Sequence, residues 1–91
     1  MLENSLNRKA TVINKLGLHA RLAAMIANLA ITARSEIRLA KDNEQVDASS
    51  IIDILSLACA KGAEVSLTAD HPEDVHILDE IIHLFETGFG E

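Results

Sequence analysis

Asn14-Lys15-Leu16-Gly17-Leu18-His19-Ala20-Arg21, with the Leu22 that follows, is the stretch on which the fold turns. Behind it, residues 6–14 read as a strand that is weak at its start. Ahead of it, Leu22, Met25, Ile26, Leu29 and Ala30 recur at helical spacing, which predicts an amphipathic helix from 20 to about 32. A glycine between a strand and a helix permits a sharp reversal, and it leaves His19 at the helix mouth.

Downstream of that helix, Ile37, Leu39 and Lys41 alternate with Glu36, Arg38 and Ala40 as a second strand. Asp42-Asn43 is a two-residue turn into a short third strand near Val46. Ser49 or Ser50 then opens a second helix on Ile51, Ile54, Leu55 and Ala58, expected to stop at Lys61-Gly62 with the glycine in the left-handed cap. Ala63, Val65, Leu67 and Ala69 alternate with Glu64, Ser66 and Thr68, which predicts a half-buried fourth strand. His71-Pro72-Glu73-Asp74 starts a last helix, with acids at the positive end of its dipole and Val75, Leu78, Ile82 and Phe85 inward, running to Gly88. The order strand, helix, strand, strand, helix, strand, helix, with alternation in the strands, predicts an antiparallel or mixed sheet covered on one side. That is an α+β two-layer sandwich.

At 91 residues and 48% hydrophobic content the chain has apolar material for one domain, 1–91, and too little for two. Residues 1–5 are expected to be a flexible start. No apolar run approaches the roughly 20 residues of a membrane span, and residues 1–9 are polar rather than signal-like, so a cytoplasmic protein is expected. Cys59 stands alone, which excludes a disulfide framework and a Cys-x-x-Cys pair. A net charge of −6, with no basic cluster and two aromatic residues, argues against nucleic acid. Protein partners are the remaining class.

The chemistry lies at His19. The unpaired N–H groups of a first helical turn and the positive end of the dipole suit an anion, so a phosphoryl group on His19 would be held there and by the guanidinium of Arg21. The same field favours the neutral ring that a nitrogen nucleophile requires. The plain alternative, weighted about evenly on spacing alone, is a helix-cap histidine beside a solvated arginine.

Gly17-Leu18-His19-Ala20-Arg21 resembles the active-site segment of the HPr family, the histidine phosphocarriers of bacterial phosphotransferase systems. Ser50-Ile51-Ile52, Ser56-Leu57 and Ala60-Lys61-Gly62-Ala63-Glu64 resemble its second landmark. The resemblance runs from about residue 9 to 91. The Asn14-Lys15-Leu16-Gly17 start and the Leu84-Phe85 to Gly88-Phe89 ending resemble the nitrogen-related branch. It implies an open-faced, four-stranded antiparallel sheet backed by three helices, and a monomer that needs no cofactor. It also implies phosphorylation of His19 on Nδ1 by a phosphoenolpyruvate-dependent Enzyme I, and discharge to an EIIA-type protein. Arg21 would then be the phosphate partner and Ser50 a position for a regulatory serine kinase. Ala20, Leu22, Ala24, Ile51, Ile52 and Leu55 would be the docking residues. Three departures from the family pattern involve five positions. Leu22 stands where Pro is usual, though the first turn would accept Pro there. Asp53, Asn28 and Ile31 make the docking side less basic than in sugar-system members. Ala58 stands where Gly is frequent, a change read as neutral within a helix.

Other constellations weigh less. His76, Asp79, Glu80 and His83 have the spacing of a metal site, but a polar stripe opposite an apolar one is the expected solvated face, and no metal is assigned. Ser49, Ser50 and Ser56 have no Ser-His-Asp logic, and Gly62 is too isolated for a nucleotide loop. The expected function is stoichiometric phosphoryl relay, not an enzyme with its own turnover. The rival is a regulatory binding module of the same fold whose His19 state controls a partner enzyme or transcription factor.

Overall fold

The computed structural model describes residues 6–91, and the expected flexible start at 1–5 lies outside the described residues. The elements are β1 (Asn7–Thr11), α1 (Ala20–Ala30), β2 (Ile37–Lys41), β3 (Glu44–Asp47), α2 (Ile51–Ser56), β4 (Glu64–Ala69) and α3 (Val75–Glu86). Single 3-10 turns, Pro72–Asp74 and Gly88–Gly90, flank α3.

The four strands form one antiparallel sheet in the order β1-β4-β2-β3. Leu67 of β4 pairs with Arg8 on one side and Leu39 on the other, so Val65, Leu67, Ala69, Ile37 and Leu39 share one face, and that face is buried. The alternate residues Glu64, Ser66, Thr68, Arg38, Ala40 and Lys9 fall on the opposite, open face. All three helices cover the apolar face. Leu22 and Ile26 from α1, Ile54 from α2 and Leu78, Ile81 and Phe85 from α3 meet it in one cluster. The open-faced α+β sandwich expected from the sequence is therefore the observed fold.

The helices differ from expectation in detail. The small residues Ala23 and Ala27 are buried in α1, while Met25 and Leu29 are only half-buried, because alanines let the helix approach its neighbours closely. In α3 the buried set is Ile77, Leu78, Ile81 and Phe85, so the inward direction is turned away from Val75 and Ile82. Asp74 does not cap α3 with its side chain. Its buried carboxylate instead accepts hydrogen bonds from Arg34 N (2.8 Å), Ser35 N (3.0 Å) and Ser35 Oγ (3.2 Å), tying the α1–β2 loop to the start of α3.

The second helix is shorter than its pattern suggested. It ends at Ser56, with Leu57 as cap and Ala58 in the left-handed region at φ +52°, so the reversal falls at Ala58 rather than at Gly62. Lys41 Nζ, reaching across from β2, donates to Leu57 O (2.9 Å) and Ala58 O (3.2 Å) and satisfies the terminal carbonyls. Ala58 is thus not a neutral helical alanine: its Cβ strains a conformation that glycine adopts freely.

Candidate functional site

The loop between β1 and α1 is held at both ends. Gly17 N donates to Asn14 O (2.9 Å) and Leu18 N to Cys59 O (2.9 Å), so the loop lies against the backbone that follows α2. Gly17 has φ +72°, and a Cβ there would run into Cys59 O and the Cα of Ala60, so no other residue fits without moving that backbone. Burial pushes the Cys59 thiol up, and the charge of Asp42 adds to this against an opposing effect of Lys41; the thiol is a packing residue.

His19 is the N-cap of α1, in extended backbone at φ −78° and ψ 179°, and its side chain makes no cap hydrogen bond. The first intrahelical bond runs from Ala23 N to His19 O (3.0 Å), which leaves the N–H groups of Ala20, Arg21 and Leu22 without an intrahelical acceptor. No acidic side chain stands in that first turn. The 11-residue helix therefore presents the positive end of its dipole at the residue that carries the imidazole.

One ring nitrogen is engaged. His19 Nε2 lies 2.8 Å from Glu91 Oε2, and Arg21 Nη2 pairs with the same oxygen. Asn14 Nδ2 donates to Glu91 Oε1 (2.7 Å) and to Gly88 O (2.8 Å). Hydrogen bonds from His19 and Asn14, then the charges of His19 and Arg21, hold the Glu91 carboxyl below the usual range despite some desolvation. It is ionised and can only accept, so the proton in the contact belongs to Nε2. Among the described residues Nδ1 of His19 has no hydrogen-bond partner.

Sequence reasoning missed Glu91 and gave Asn14 no role. Glu91 is 72 residues from His19, and no periodicity links them. The available signal was Phe89, an aromatic residue beyond the end of the last helix. It is buried, and its ring meets Phe85 edge-on at 5.0 Å between centroids, pinning the segment that carries Glu91.

Of the expected docking residues, Ile52 is 77% exposed, Ile51, Leu55 and Ala20 are exposed and Ala24 is half-buried. Leu22 is the exception: it is wholly buried, because the third helical position faces the sheet, and it offers no surface to a partner. Leu16, which was not expected, is 78% exposed in the same loop as His19. Ser50 is the N-cap of α2, its Oγ accepting from Asp53 N at 3.2 Å. On α3, Asp79 pairs with Arg8 (2.9 Å) and His76 Nδ1 meets Glu73 O (3.0 Å). Among the described residues no three His, Cys, Asp or Glu side chains converge as metal ligands. No helix of the described residues is long and apolar enough to cross a membrane.

The fold is a small open sandwich with His19 at a helix mouth, one ring nitrogen bound to a carboxylate and the other without a hydrogen-bond partner among the described residues. Known proteins place this arrangement among the phosphocarriers. Residues 6–87 match the family described as the PTS HPr component phosphorylation site. The chain is 40% identical to the phosphocarrier protein HPr of Cupriavidus necator over 94% of this chain and 97% of that protein. It is 38% identical to the phosphocarrier protein NPr of Klebsiella oxytoca over 88% and 90%. The crystal structure of HPr from Thermoanaerobacter tengcongensis superposes with a TM-score of 0.87 at 36% identity, covering 93% of this chain and 96% of that one. The chain belongs to the HPr family of phosphocarrier proteins, and like them it is a stoichiometric carrier of the phosphotransferase system rather than an enzyme.

Proposed function

We propose that His19 accepts a phosphoryl group on Nδ1 from Enzyme I charged by phosphoenolpyruvate, in the cytoplasm, and passes it to an EIIA-type protein. The observation that carries this reading is the division of labour on the imidazole. Nε2 is hydrogen-bonded to Glu91, while Nδ1 has no hydrogen-bond partner among the described residues and belongs to the residue that caps the positive end of α1. Arg21 begins one bond from the site through Glu91 and is long enough to turn its guanidinium to a phosphoryl group. Exposed Ala20, Ile51, Ile52 and Leu55, with Leu16, give the partners an apolar surface on the two elements joined by the Leu18–Cys59 bond.

The test is incubation with phosphoenolpyruvate and Enzyme I, followed by intact-mass measurement before and after mild acid. The parent should gain one acid-labile phosphate, and His19→Ala none. A parent that gains none, yet binds Enzyme I, would replace phosphoryl relay with the regulatory binding module.

A further inference from the structure

We infer that Lys41 is a positioning residue for phosphoryl transfer, clamping the backbone that follows α2 so that this backbone holds the loop of His19 in place. This role rests on His19 as the acceptor and deepens that reading.

Lys41 closes β2, and by the alternation of the strand it falls on the face of Ile37 and Leu39, the one that the helices cover. A cation at a helix-facing position needs acceptors for its N–H groups. It finds two: Nζ donates to Leu57 O (2.9 Å) and to Ala58 O (3.2 Å). Because α2 has ended at Ser56, neither carbonyl has a further helical N–H to accept from. The clamp falls where the chain is strained, since Ala58 holds φ +52° with a Cβ. Hydrogen bonds from an ammonium are stronger than neutral ones, and here they keep an alanine in a conformation that it rarely adopts. The Lys41 charge also reaches the Cys59 thiol, where it opposes the rise that burial causes.

The next residue carries the constraint to the site. Cys59 O, one residue past the clamped pair, accepts from Leu18 N (2.9 Å), and Leu18 immediately precedes His19. Gly17 lies so close to Cys59 O and to the Cα of Ala60 that a Cβ would not fit between them. The two segments therefore have no slack. A shift of the backbone at 58–59 moves Gly17 and Leu18 with it, and His19, whose N donates to Gly17 O (3.0 Å), follows. Farther along, Gly62 N donates to Val12 O (2.7 Å) and Val12 N to Ala63 O (2.9 Å), which ties the other end of the same connection to the strand end that leads into the loop. The connection from α2 to β4 is thus pinned at 62–63 by backbone and at 57–58 by Lys41, and the bond to Leu18 lies between the pins. Lys41 acts through Cys59 and Leu18 rather than on the reacting atoms.

The experiment compares the parent with Lys41→Met, which keeps the length of the side chain and removes every donor, and with Lys41→Arg, which keeps the charge and the donors. Asp74→Ala is the control, a variant loosened beyond the opposite end of α1, where Asp74 holds Arg34 N and Ser35 N. Phosphoryl uptake from phosphoenolpyruvate and Enzyme I is followed over a range of carrier concentration, well below the melting midpoint of the least stable variant. Amide exchange is read at Leu18 and across β4 on the unphosphorylated proteins. The expected result for Lys41→Met is a loss of about fivefold in the saturated rate with KM within about twofold, less than the roughly hundredfold that a 1 Å misplacement can cost. Exchange at Leu18 should quicken about tenfold relative to the β4 amides, the mark of a local opening rather than a global one. Lys41→Arg and Asp74→Ala should both keep saturated rates within about twofold of the parent. A saturated rate for Lys41→Met within about twofold of the parent, a loss confined to KM, an equal loss in Lys41→Arg or Asp74→Ala, or an unchanged Leu18 amide would each overturn the inference. Amide exchange needs no phosphate, so a failure of the clamp is distinguishable from a failure of His19 to accept phosphate at all.

Discussion

Replacing Asp74 by alanine tests whether a single buried carboxylate holds the α1–β2 loop to the start of α3. Asp74 is 1% exposed and accepts from Arg34 N, Ser35 N and Ser35 Oγ. Truncation leaves two part-buried backbone N–H groups without their acceptor. At about 1 to 1.5 kcal/mol for each, plus the hydroxyl bond, the loss should be about 3 kcal/mol near neutral pH. For a domain of this size that lowers Tm by about 15 °C. Asp74→Asn keeps the shape and one neutral acceptor, and should lose about half as much. Burial pushes the Asp74 carboxyl up, but the hydrogen bonds from Arg34 and Ser35, with the charge of His71, outweigh it and hold the group below the usual carboxylate range. A carboxyl lowered in the folded state stabilises fully above its unfolded value of about 3.9, and that contribution disappears as pH falls through the folded value. The gap between parent and Asp74→Ala should therefore be constant above about pH 5 and shrink progressively as pH falls below the unfolded carboxylate value. Urea unfolding followed by circular dichroism across that range measures both quantities. A loss under about 1 kcal/mol at neutral pH, or a gap undiminished in acid, would refute the role of these bonds.

Two further substitutions separate packing from backbone. Ala58→Gly should raise stability by about 1 kcal/mol, because the left-handed residue after α2 carries a Cβ that glycine lacks, and a rise in Tm of about 5 °C would be seen by calorimetry. An unchanged or lowered Tm would mean that the added freedom of the unfolded chain outweighs the strain. Leu22→Pro keeps a permitted first-turn backbone but removes much of a wholly buried side chain, so it should cost about 2 kcal/mol while retaining the far-ultraviolet signal of α1. Wild-type stability in that variant would show that the core closes over the missing atoms.

The element order, the alternation in β4, the amphipathic α1 and the place of His19 at its mouth were legible in the sequence, because each depends on residues within one or two turns of chain. Gly17 before His19 marks a reversal, and Leu22, Ile26 and Ala30 mark the face that follows it. The early stop of α2 was not legible. The sequence from Ile51 to Ala58 continues a helical pattern, but Lys41, 17 residues earlier than Ala58, supplies the donor that closes the helix. The burial of Leu22 was half legible: its place on the apolar stripe was plain, and the resemblance that assigned its neighbours to docking drew it into the wrong group. The carboxylate at His19 was not legible at all. Glu91 reaches the ring only because Phe89 packs on Phe85 and Asn14 bridges Gly88 to the tail. Local hydrogen bonding and periodicity are written in neighbouring residues, so the sequence by itself determined the layers of this protein and the position of that histidine at a helix mouth. Contacts across 72 residues exist only once the core has brought the end of α3 beside the start of α1, so tertiary structure alone decided which nitrogen of that histidine is left free.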